Sequence, residues 1–312
     1  TITTPSLGDN DDNEYRDLDV VVDQAPGDTA VFTLTIDGGT GVTIRGDTNW
    51  PDRIFDILTP TVPGAVAGGV RLRNLNIKFG GPIDNNSETY TSSVCNLGGG
   101  AVRHRSGGLL EMDGGKAEDN KVNGNGGGIC QDGGQLWLVN HPYIATNQAT
   151  FGGGIYISGT ADLTATLVQN IANNGGGIYN NGVLTITGSS VTTNTANTGG
   201  GIYNNGGTAT LIGAQVNGNV VSATSNAQGG GIYNRATLAI TGSSVNSNTV
   251  QASPGSGGGI YNDSGGNATL AGTQVNGNVV SATGNAVGGG VYNAATLAIT
   301  GSSVNSNTVQ AS

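Results

Sequence analysis

The side chains best suited to acid–base chemistry lie together in one acidic segment of the sequence. Glu111, Asp113 and Glu118 fall within eight residues, and enzymes that cleave polysaccharides use two carboxyl groups, one as acid and one as base or nucleophile. Apolar residues alternate with these acids, however, which places the acids on the solvent-facing side of short strands. After residue 150 the acidic residues are Asp162 and Asp263, which the repeat described below separates by several turns of chain. The pattern favours a hydrated charged face, and we expect no enzyme.

Residues that could bind a metal ion are few. His104 and His141 are the two histidines, and neither has a second histidine or a cysteine at the spacing that a zinc site needs. The acidic segment near the N-terminus could offer oxygen ligands to calcium through Asp9, Asp11 and Asn13. That segment lacks the glycine and the distal glutamate of a helix–loop–helix calcium site. We therefore predict no cofactor, with calcium at this segment as the alternative.

The charge of the chain argues against two classes of partner. The formal net charge is −10, and 19 of the 21 acidic and 10 of the 11 basic side chains fall in residues 1–150. A nucleic-acid-binding protein needs a basic face, and a membrane span needs a run of about 20 apolar residues, which the sequence lacks. We expect neither nucleic acid nor a membrane span. The nearly uncharged second half suits lateral packing or a fibre.

A glycine triplet followed by Ile, Val or Ala recurs along the chain at intervals of 23 to 31 residues. A period of this size is typical of stacked-repeat proteins, in which each unit contacts mainly its two neighbours. The triplets open at Gly98, Gly126, Gly152, Gly175, Gly199, Gly229, Gly257 and Gly288.

One repeat, residues 175–198, predicts the structure of a single coil. Apolar and polar residues alternate with period two in three short pieces, which indicates strands separated by Gly, Asn and Ser turns. Ile178, Leu184, Ile186 and Val191 would face inward. Three short strands in so few residues make one coil of a parallel β-helix, and only a stack of coils can offset the entropy of ordering the chain. We predict an all-β, single-stranded parallel β-helix.

The sequence divides into two parts. Residues 1–68 lack the triplet, and we expect them to form an N-terminal capping segment and irregular first coils, because an open solenoid end exposes core and backbone. Residues 69–312 should form the regular coils. From about residue 206 a two-coil super-repeat appears, since residues 206–253 and 265–312 match at 41 of 48 positions with an offset of 59. We expect the native polypeptide to continue this pattern beyond residue 312.

Two sets of residues fall at equivalent positions in successive coils. The first is an asparagine set expected to stack at one turn with its amides hydrogen-bonded along the axis: Asn194, Asn219, Asn248, Asn278 and Asn307. The second is a tyrosine set: Tyr156, Tyr179, Tyr203, Tyr233, Tyr261 and Tyr292. If the rings point outward, they form a stripe that could bind sugars or contact a neighbouring molecule. An internal stabilising ladder is the alternative.

The remaining position-specific features allow more than one interpretation. Cys130 takes the tyrosine position of its coil and could pair with Cys95 in a secreted protein, whereas both would be small apolar residues in a reducing compartment. The outward pair Thr185 and Thr187 would suit an ice-binding array. Ala239 interrupts the rows of threonines that an ice-binding array needs, which argues against that function.

The motif Gly-Gly-Gly-Ile-Tyr-Asn occurs at residues 175–180, 199–204, 229–234 and 257–262. In this motif the chain resembles secreted bacterial right-handed β-helix proteins with similar repeats, which include the chlamydial polymorphic outer-membrane adhesins. The resemblance implies a right-handed helix, an extracellular or bacterial cell-surface location, and a structural or adhesive role.

These observations together lead to one predicted function and two alternatives. We expect an extracellular structural protein, a subunit or repeat segment of a bacterial surface filament or sheath, that self-assembles by coil stacking head-to-tail or laterally. The first alternative is a cell-surface adhesin that binds glycans or host surfaces. The second is a polysaccharide lyase or hydrolase.

Overall fold

The structure is a computed structural model in which part of the chain is described. The described residues are 18–21, 33–39, 42–45, 54–58, 69–78, 95, 98–105, 107–224, 226–252 and 254–311. They form strands and turns, and none of them belongs to a helix that is long and apolar enough to cross a membrane.

The predicted all-β solenoid is confirmed, because every pair of neighbouring strands is parallel and each partner comes from the next coil. The chain runs through sheets A, B and C in turn before the next coil begins. Sheet A contains β1 (Leu18–Val21), β4 (Phe55–Leu58), β7 (Val102–Arg105), β10 (Ile129–Asp132), β13 (Ile155–Ile157), β16 (Ile178–Asn180), β20 (Ile202–Asn204), β25 (Ile232–Asn234), β29 (Ile260–Asn262) and β33 (Val291–Asn293). Sheet B contains β2 (Thr33–Asp37), β5 (Gly69–Arg73), β8 (Leu109–Asp113), β11 (Gln135–Val139), β14 (Thr160–Leu163), β17 (Val183–Thr187), β21 (Thr208–Ile212), β26 (Thr237–Thr241), β30 (Asn267–Ala271) and β34 (Thr296–Thr300). Sheet C contains β3 (Thr43–Arg45), β6 (Asn76–Lys78), β9 (Lys116–Glu118), β12 (Tyr143–Ala145), β15 (Thr166–Val168), β18 (Ser190–Thr192) and β22 (Gln215–Asn217).

Two smaller sheets account for the longer repeats near the C-terminal end. Sheet D contains β19 (Thr195–Ala196), β23 (Val220–Ser222), β27 (Thr249–Gln251), β31 (Val279–Ala282) and β35 (Thr308–Ala311). Sheet E contains β24 (Ala227–Gln228), β28 (Gly255–Ser256) and β32 (Ala286–Val287). Val221, Val250 and Val280 form a second small core with Ala227 under these strands. The extra residues of the longer coils therefore fold into a ridge along one side of the solenoid.

The main core runs along the axis and is built from equivalent residues of successive coils. Ile178, Leu184, Ile186 and Val191 are completely buried, as their alternation predicts. Each pairs in register with its counterpart in the next coil, for example Ile178 with Ile202. Because the period of a strand is two residues, a slip of one residue would turn this whole set toward solvent.

The glycine triplet is required at the corner where each coil enters sheet A. Gly175 has a φ of +66°, a conformation that side chains rarely adopt. A Cβ on Gly176 would collide with the carbonyl oxygens of Gly200 and Thr195. The triplet thus allows the backbones of adjacent coils to approach closely at this corner.

The described strands of the N-terminal part belong to the same stack. β1, β2, β3 and β4 extend sheets A, B and C toward the N-terminus. Most of the predicted capping segment lies outside the described residues, and the domain boundary at residue 68 stays a prediction.

The residue before each ladder asparagine adopts a left-handed conformation in successive coils. The residues at this position are Asp119, Thr146, Gln169, Thr193, Gly218, Ser247, Gly277 and Ser306. Thr193 has a φ of 53°, which a β-branched residue adopts at a cost of about 1–3 kcal/mol.

We expect Thr193→Gly to raise the free energy of unfolding by roughly 0.5–1 kcal/mol, measured as an upward shift of the urea midpoint. Thr192→Gly, one residue earlier within β18, should lower it by a similar amount, and an equal response of both variants would contradict this account.

Candidate functional site

The six tyrosines, which we call the tyrosine column, form a continuous stack on the outer side of sheet A. Neighbouring rings lie with their centroids 4.5 to 5.3 Å apart and their planes 3 to 19° from parallel. Tyr156, Tyr203, Tyr233 and Tyr261 are only 5 to 8% exposed. Stacked rings at this separation stabilise each other beyond the apolar area that they bury.

The tyrosine rings lie on the outer side of sheet A, as the stripe required, and they also stack on one another along the axis. Each inner ring of the tyrosine column has a neighbouring ring on both of its faces, so no aromatic face is free to stack on a sugar. The set also forms the stabilising ladder that the sequence left as the alternative. Tyr179 and Tyr292 are half-buried and pack at the edges of the cluster formed by Tyr203, Tyr233 and Tyr261.

Polar groups bind the hydroxyl edge of the tyrosine column. The Tyr233 hydroxyl donates a hydrogen bond to Oδ2 of Asp263 at 2.7 Å, and Nε of Arg235 lies 3.6 Å from the same oxygen. Burial, and secondly the hydrogen bond to Asp263, raises the pKa of Tyr233. Burial also raises the pKa of Tyr179 to about 12, helped by the neighbouring Tyr203 and Tyr156. The phenols of Tyr179 and Tyr233 are therefore held in their neutral, proton-donating form.

The N-terminal end of the tyrosine column meets a disulfide between Cys95 and Cys130. Cys130 pairs with Tyr156 in adjacent strands of sheet A, so the disulfide continues the column by one coil. Both cysteines are fully buried and pack with Tyr156 and Phe151. The bond ties the corner at residue 95 to the regular stack.

The asparagine ladder stacks at one turn and starts three coils earlier than the sequence suggested. Its members are Asn120, Asn147, Asn170, Asn194, Asn219, Asn248, Asn278 and Asn307. Each Nδ2 donates to the Oδ1 of the next member at 2.8 to 3.0 Å. Asn219 is typical: its Oδ1 accepts from both the backbone N–H and Nδ2 of Asn194, and its Nδ2 donates to the Val191 carbonyl. The amides thus satisfy buried backbone groups that the turn leaves unpaired.

A second asparagine ladder was missed by the sequence analysis. It consists of Asn180, Asn204, Asn234, Asn262 and Asn293, whose amides are linked by hydrogen bonds of 2.7 to 2.8 Å. The signal was present, since these residues end the Gly-Gly-Gly-Ile-Tyr-Asn motif and its Val variant. Asn180 follows a half-buried tyrosine and faces the core side of the strand, where it is completely buried.

The acidic cluster forms ion pairs with the preceding coil instead of an open catalytic face. Glu111 accepts a hydrogen bond from Arg71 at 2.8 Å, and Glu118 lies 2.6 Å from Lys78 Nζ. These contacts raise the pKa of both cationic partners, first through the side-chain hydrogen bond. Glu111 is buried, so the expectation that it faces open solvent is wrong. Arg71 covers Glu111 because it occupies the equivalent strand position of the preceding coil, and Lys78 lies opposite Glu118 in the same way.

The predicted metal-ligating residues do not converge in the described part of the chain. No group of three His, Cys, Asp or Glu side chains there could hold a metal ion. His104 is completely buried on sheet A, whereas His141 is exposed at a turn. The calcium candidates Asp9, Asp11 and Asn13 lie outside the described residues.

The asparagine ladder makes a specific prediction about stability. In Asn219→Leu the Asn194 backbone N–H and Nδ2 lose their acceptor, and the Val191 carbonyl loses a donor. We expect the free energy of unfolding to fall by about 2–4 kcal/mol, measured by urea denaturation followed by circular dichroism. Asn173→Leu is the matched control, since that exposed amide accepts one long hydrogen bond of 3.4 Å. A loss no greater than that of the control would contradict a stabilising role of the ladder.

The tyrosine column predicts a loss of stability at alkaline pH. Tyrosines of the unfolded chain ionise near pH 10, whereas the pKa of Tyr179 in the folded protein is about 12. The folded state therefore holds the phenolic protons more tightly, and its stabilisation is complete below about pH 10 and lost as the pH rises toward 12. Urea midpoints across this range should fall, and tyrosinate absorbance should rise together with unfolding. Tyr179→Phe should make the fall shallower, and a flat profile in the wild type would argue against the buried column.

Comparison with protein-family models, with curated protein sequences and with solved structures finds no match to this chain. The two ladders and the tyrosine column are therefore interpreted from their geometry. The asparagine ladders are buried, the tyrosine column lies on the outer side of sheet A, and all three link like residues of successive coils.

Proposed function

We propose that this protein is an extracellular structural element, a subunit or repeat segment of a bacterial surface filament or sheath, which assembles by coil stacking. The observation that carries the proposal is the exposure of apolar residues on one side of the coil 288–311, the side that faces away from the coil 257–287. Its apolar residues Ile299, Val304 and Val309 are 42 to 44% exposed. Their counterparts in the coil 229–253 are at most 1% exposed.

The super-repeat shows that the next coil covers the equivalent apolar side of an earlier coil. The equivalent residues Ile240, Val245 and Val250 are the same amino acids in the same register, and the coil 257–287 lies against them through parallel pairing of β26 with β30 and β27 with β31. A further coil of this type would bury Ile299, Val304 and Val309 in the same way. That coil can belong to the same polypeptide or to a second copy.

Stacking of this kind extends the structure in one direction. Within the described residues, sheets A and B have β1 and β2 at one end and β33 and β34 at the other. A contact between the two different ends is head-to-tail, and such a contact that does not close into a ring produces a filament. Parallel backbone hydrogen bonds would continue across the junction, as in β-strand addition.

Two further observations agree with a surface or extracellular location. Disulfides such as Cys95–Cys130 persist in oxidising compartments and are rare in reducing ones. The repeats are nearly uncharged and rich in Thr, Ser and Asn, so adjacent molecules could pack with little electrostatic repulsion.

A single charge on the exposed end should block assembly. We expect the chain of residues 1–312 to form fibres of constant width at high concentration, and Val304→Asp to raise the concentration required by on the order of 100-fold, because a carboxylate would be buried in an apolar contact. Electron microscopy measures the width of the fibres, and sedimentation measures the concentration required for their formation. Asn305→Asp is the matched control, since it adds the same charge to the side of the same coil. A wild-type chain that stays monomeric at every concentration would contradict the proposal.

A further inference from the structure

The outer face of sheet B differs from every other side of the solenoid in its chemistry. Six successive strands of sheet B present outward positions: β14, β17, β21, β26, β30 and β34. Each contributes three residues, with Thr164 directly after β14, and we call these eighteen residues the threonine face. Eleven of them are threonines: Thr160, Thr164, Thr185, Thr187, Thr208, Thr210, Thr237, Thr241, Thr269, Thr296 and Thr300. The others are Asp162, Val183, Ile212, Ala239, Asn267, Ala271 and Ala298.

The threonine face is open and its hydroxyls have no protein partner. All eighteen positions are exposed or half-buried, and Val183 and Ile212 are 50 and 45% exposed. Across the described residues, no hydrogen bond involves any of the eleven hydroxyls. The side of the solenoid that continues sheet C through isolated bridges behaves differently, because its polar groups bind one another: Ser244 Oγ donates to Asn217 Oδ1 and Ser303 Oγ donates to Asn276 Oδ1.

We infer that the threonine face is the lateral contact between two copies of this chain. The inference deepens the structural role proposed above, since it names the side by which rods meet. A threonine hydroxyl both donates and accepts, so the face is complementary to itself. β-Branched side chains on two such sheets pack face to face about 10 Å apart.

The distribution of charge supports a second copy as the partner. Asp162 is the only charged residue among the eighteen, whereas residues 1–150 hold 19 of the 21 acids. Two copies of a chain with net charge −10 can approach through this face without bringing like charges together. An antiparallel arrangement also places the two acidic N-terminal halves at opposite ends of the pair, which lowers their repulsion.

The area of the face indicates a weak contact that becomes strong in a filament. Neighbouring strands are spaced ~4.8 Å apart, and outward residues are spaced ~6.7 Å apart along each strand. Six strands with three outward residues each give a face of roughly 29 by 20 Å, or about 600 Å² on each copy. The total of about 1,200 Å² is at the lower limit of stable interfaces. One pair should therefore associate weakly, but stacked rods that present several faces at once should gain from effective concentration.

The test uses the Val304→Asp variant, in which end stacking is blocked, so that lateral pairing is measured separately from fibre formation. We expect this variant to form a concentration-dependent dimer in analytical ultracentrifugation. Adding Thr210→Glu at the centre of the face should weaken dimerisation by on the order of tenfold or more, through like-charge repulsion. Adding Gln215→Glu, an exposed position on sheet C, should leave dimerisation unchanged. Circular dichroism would establish that all three variants are folded.

The outcomes distinguish this inference from the proposed function. Fibres of the wild type together with a strictly monomeric Val304→Asp variant would overturn the lateral contact and leave end stacking in place. Equal effects of Thr210→Glu and Gln215→Glu would overturn it too. A monomeric protein that shapes ice crystals, and loses this property in Thr210→Glu, would assign the face to ice instead of a second copy. Stronger dimerisation at high salt would contradict the antiparallel arrangement, because it would show that screening relieves repulsion between adjacent acidic halves.

Discussion

The in-register contact between like residues of successive coils is the interaction on which the rest of the structure depends. A strand of three to five residues forms its backbone hydrogen bonds with the strands before and after it along the axis, so no coil is stable alone. The tyrosine rings stack and the asparagine amides bind one another only because Ile178, Tyr179 and Asn180 fall opposite Ile202, Tyr203 and Asn204. A register shift would break the core, the tyrosine column and both ladders at once, which makes the register strongly specified.

The fold could be predicted from the sequence because its signals repeat and agree. The period of two in residues 183–187 and the glycine triplet at Gly175 predict the same coil, and each later coil tests that prediction again. The orientation of a side chain within a coil was therefore predictable for Leu184 and Ile186. Its exposure was not always predictable, because exposure depends on the neighbouring coils. Tyr203 lies on the outer side of its strand, but the rings above and below cover both of its faces. Glu111 is covered in a similar way by Arg71, which precedes it by 40 residues in the sequence.

The two halves of the chain hold their coils together by different means. Around residues 71–118 the stack carries columns of ion pairs, such as Arg71 with Glu111 and Lys78 with Glu118. These pairs are partly exposed on the side of the cation, and salt screens the exposed part of such an interaction. The asparagine ladder starts beside these ion pairs at Asn120 and continues through the later coils. Among the described residues after 150 the one ion pair, Arg235 with Asp263, is attached to the tyrosine column. Buried neutral hydrogen bonds lose less strength in salt, so the stability of the later coils should depend less on ionic strength.

Under the proposed end-to-end assembly, folding and assembly would use the same interface. The contact that buries Val245 beneath the coil 257–287 is the contact that would bury Val304 beneath a further coil, since the two coils have the same residues in the same register. Selection for stable folding of the repeats therefore also maintains a surface that can join one rod to the next. The threonine face does not have this link to folding, because its side chains, such as Thr210 and Thr241, lie outside the core. Their uniformity across six coils needs a separate explanation, and a weak contact that gains strength only when rods are stacked end to end supplies one.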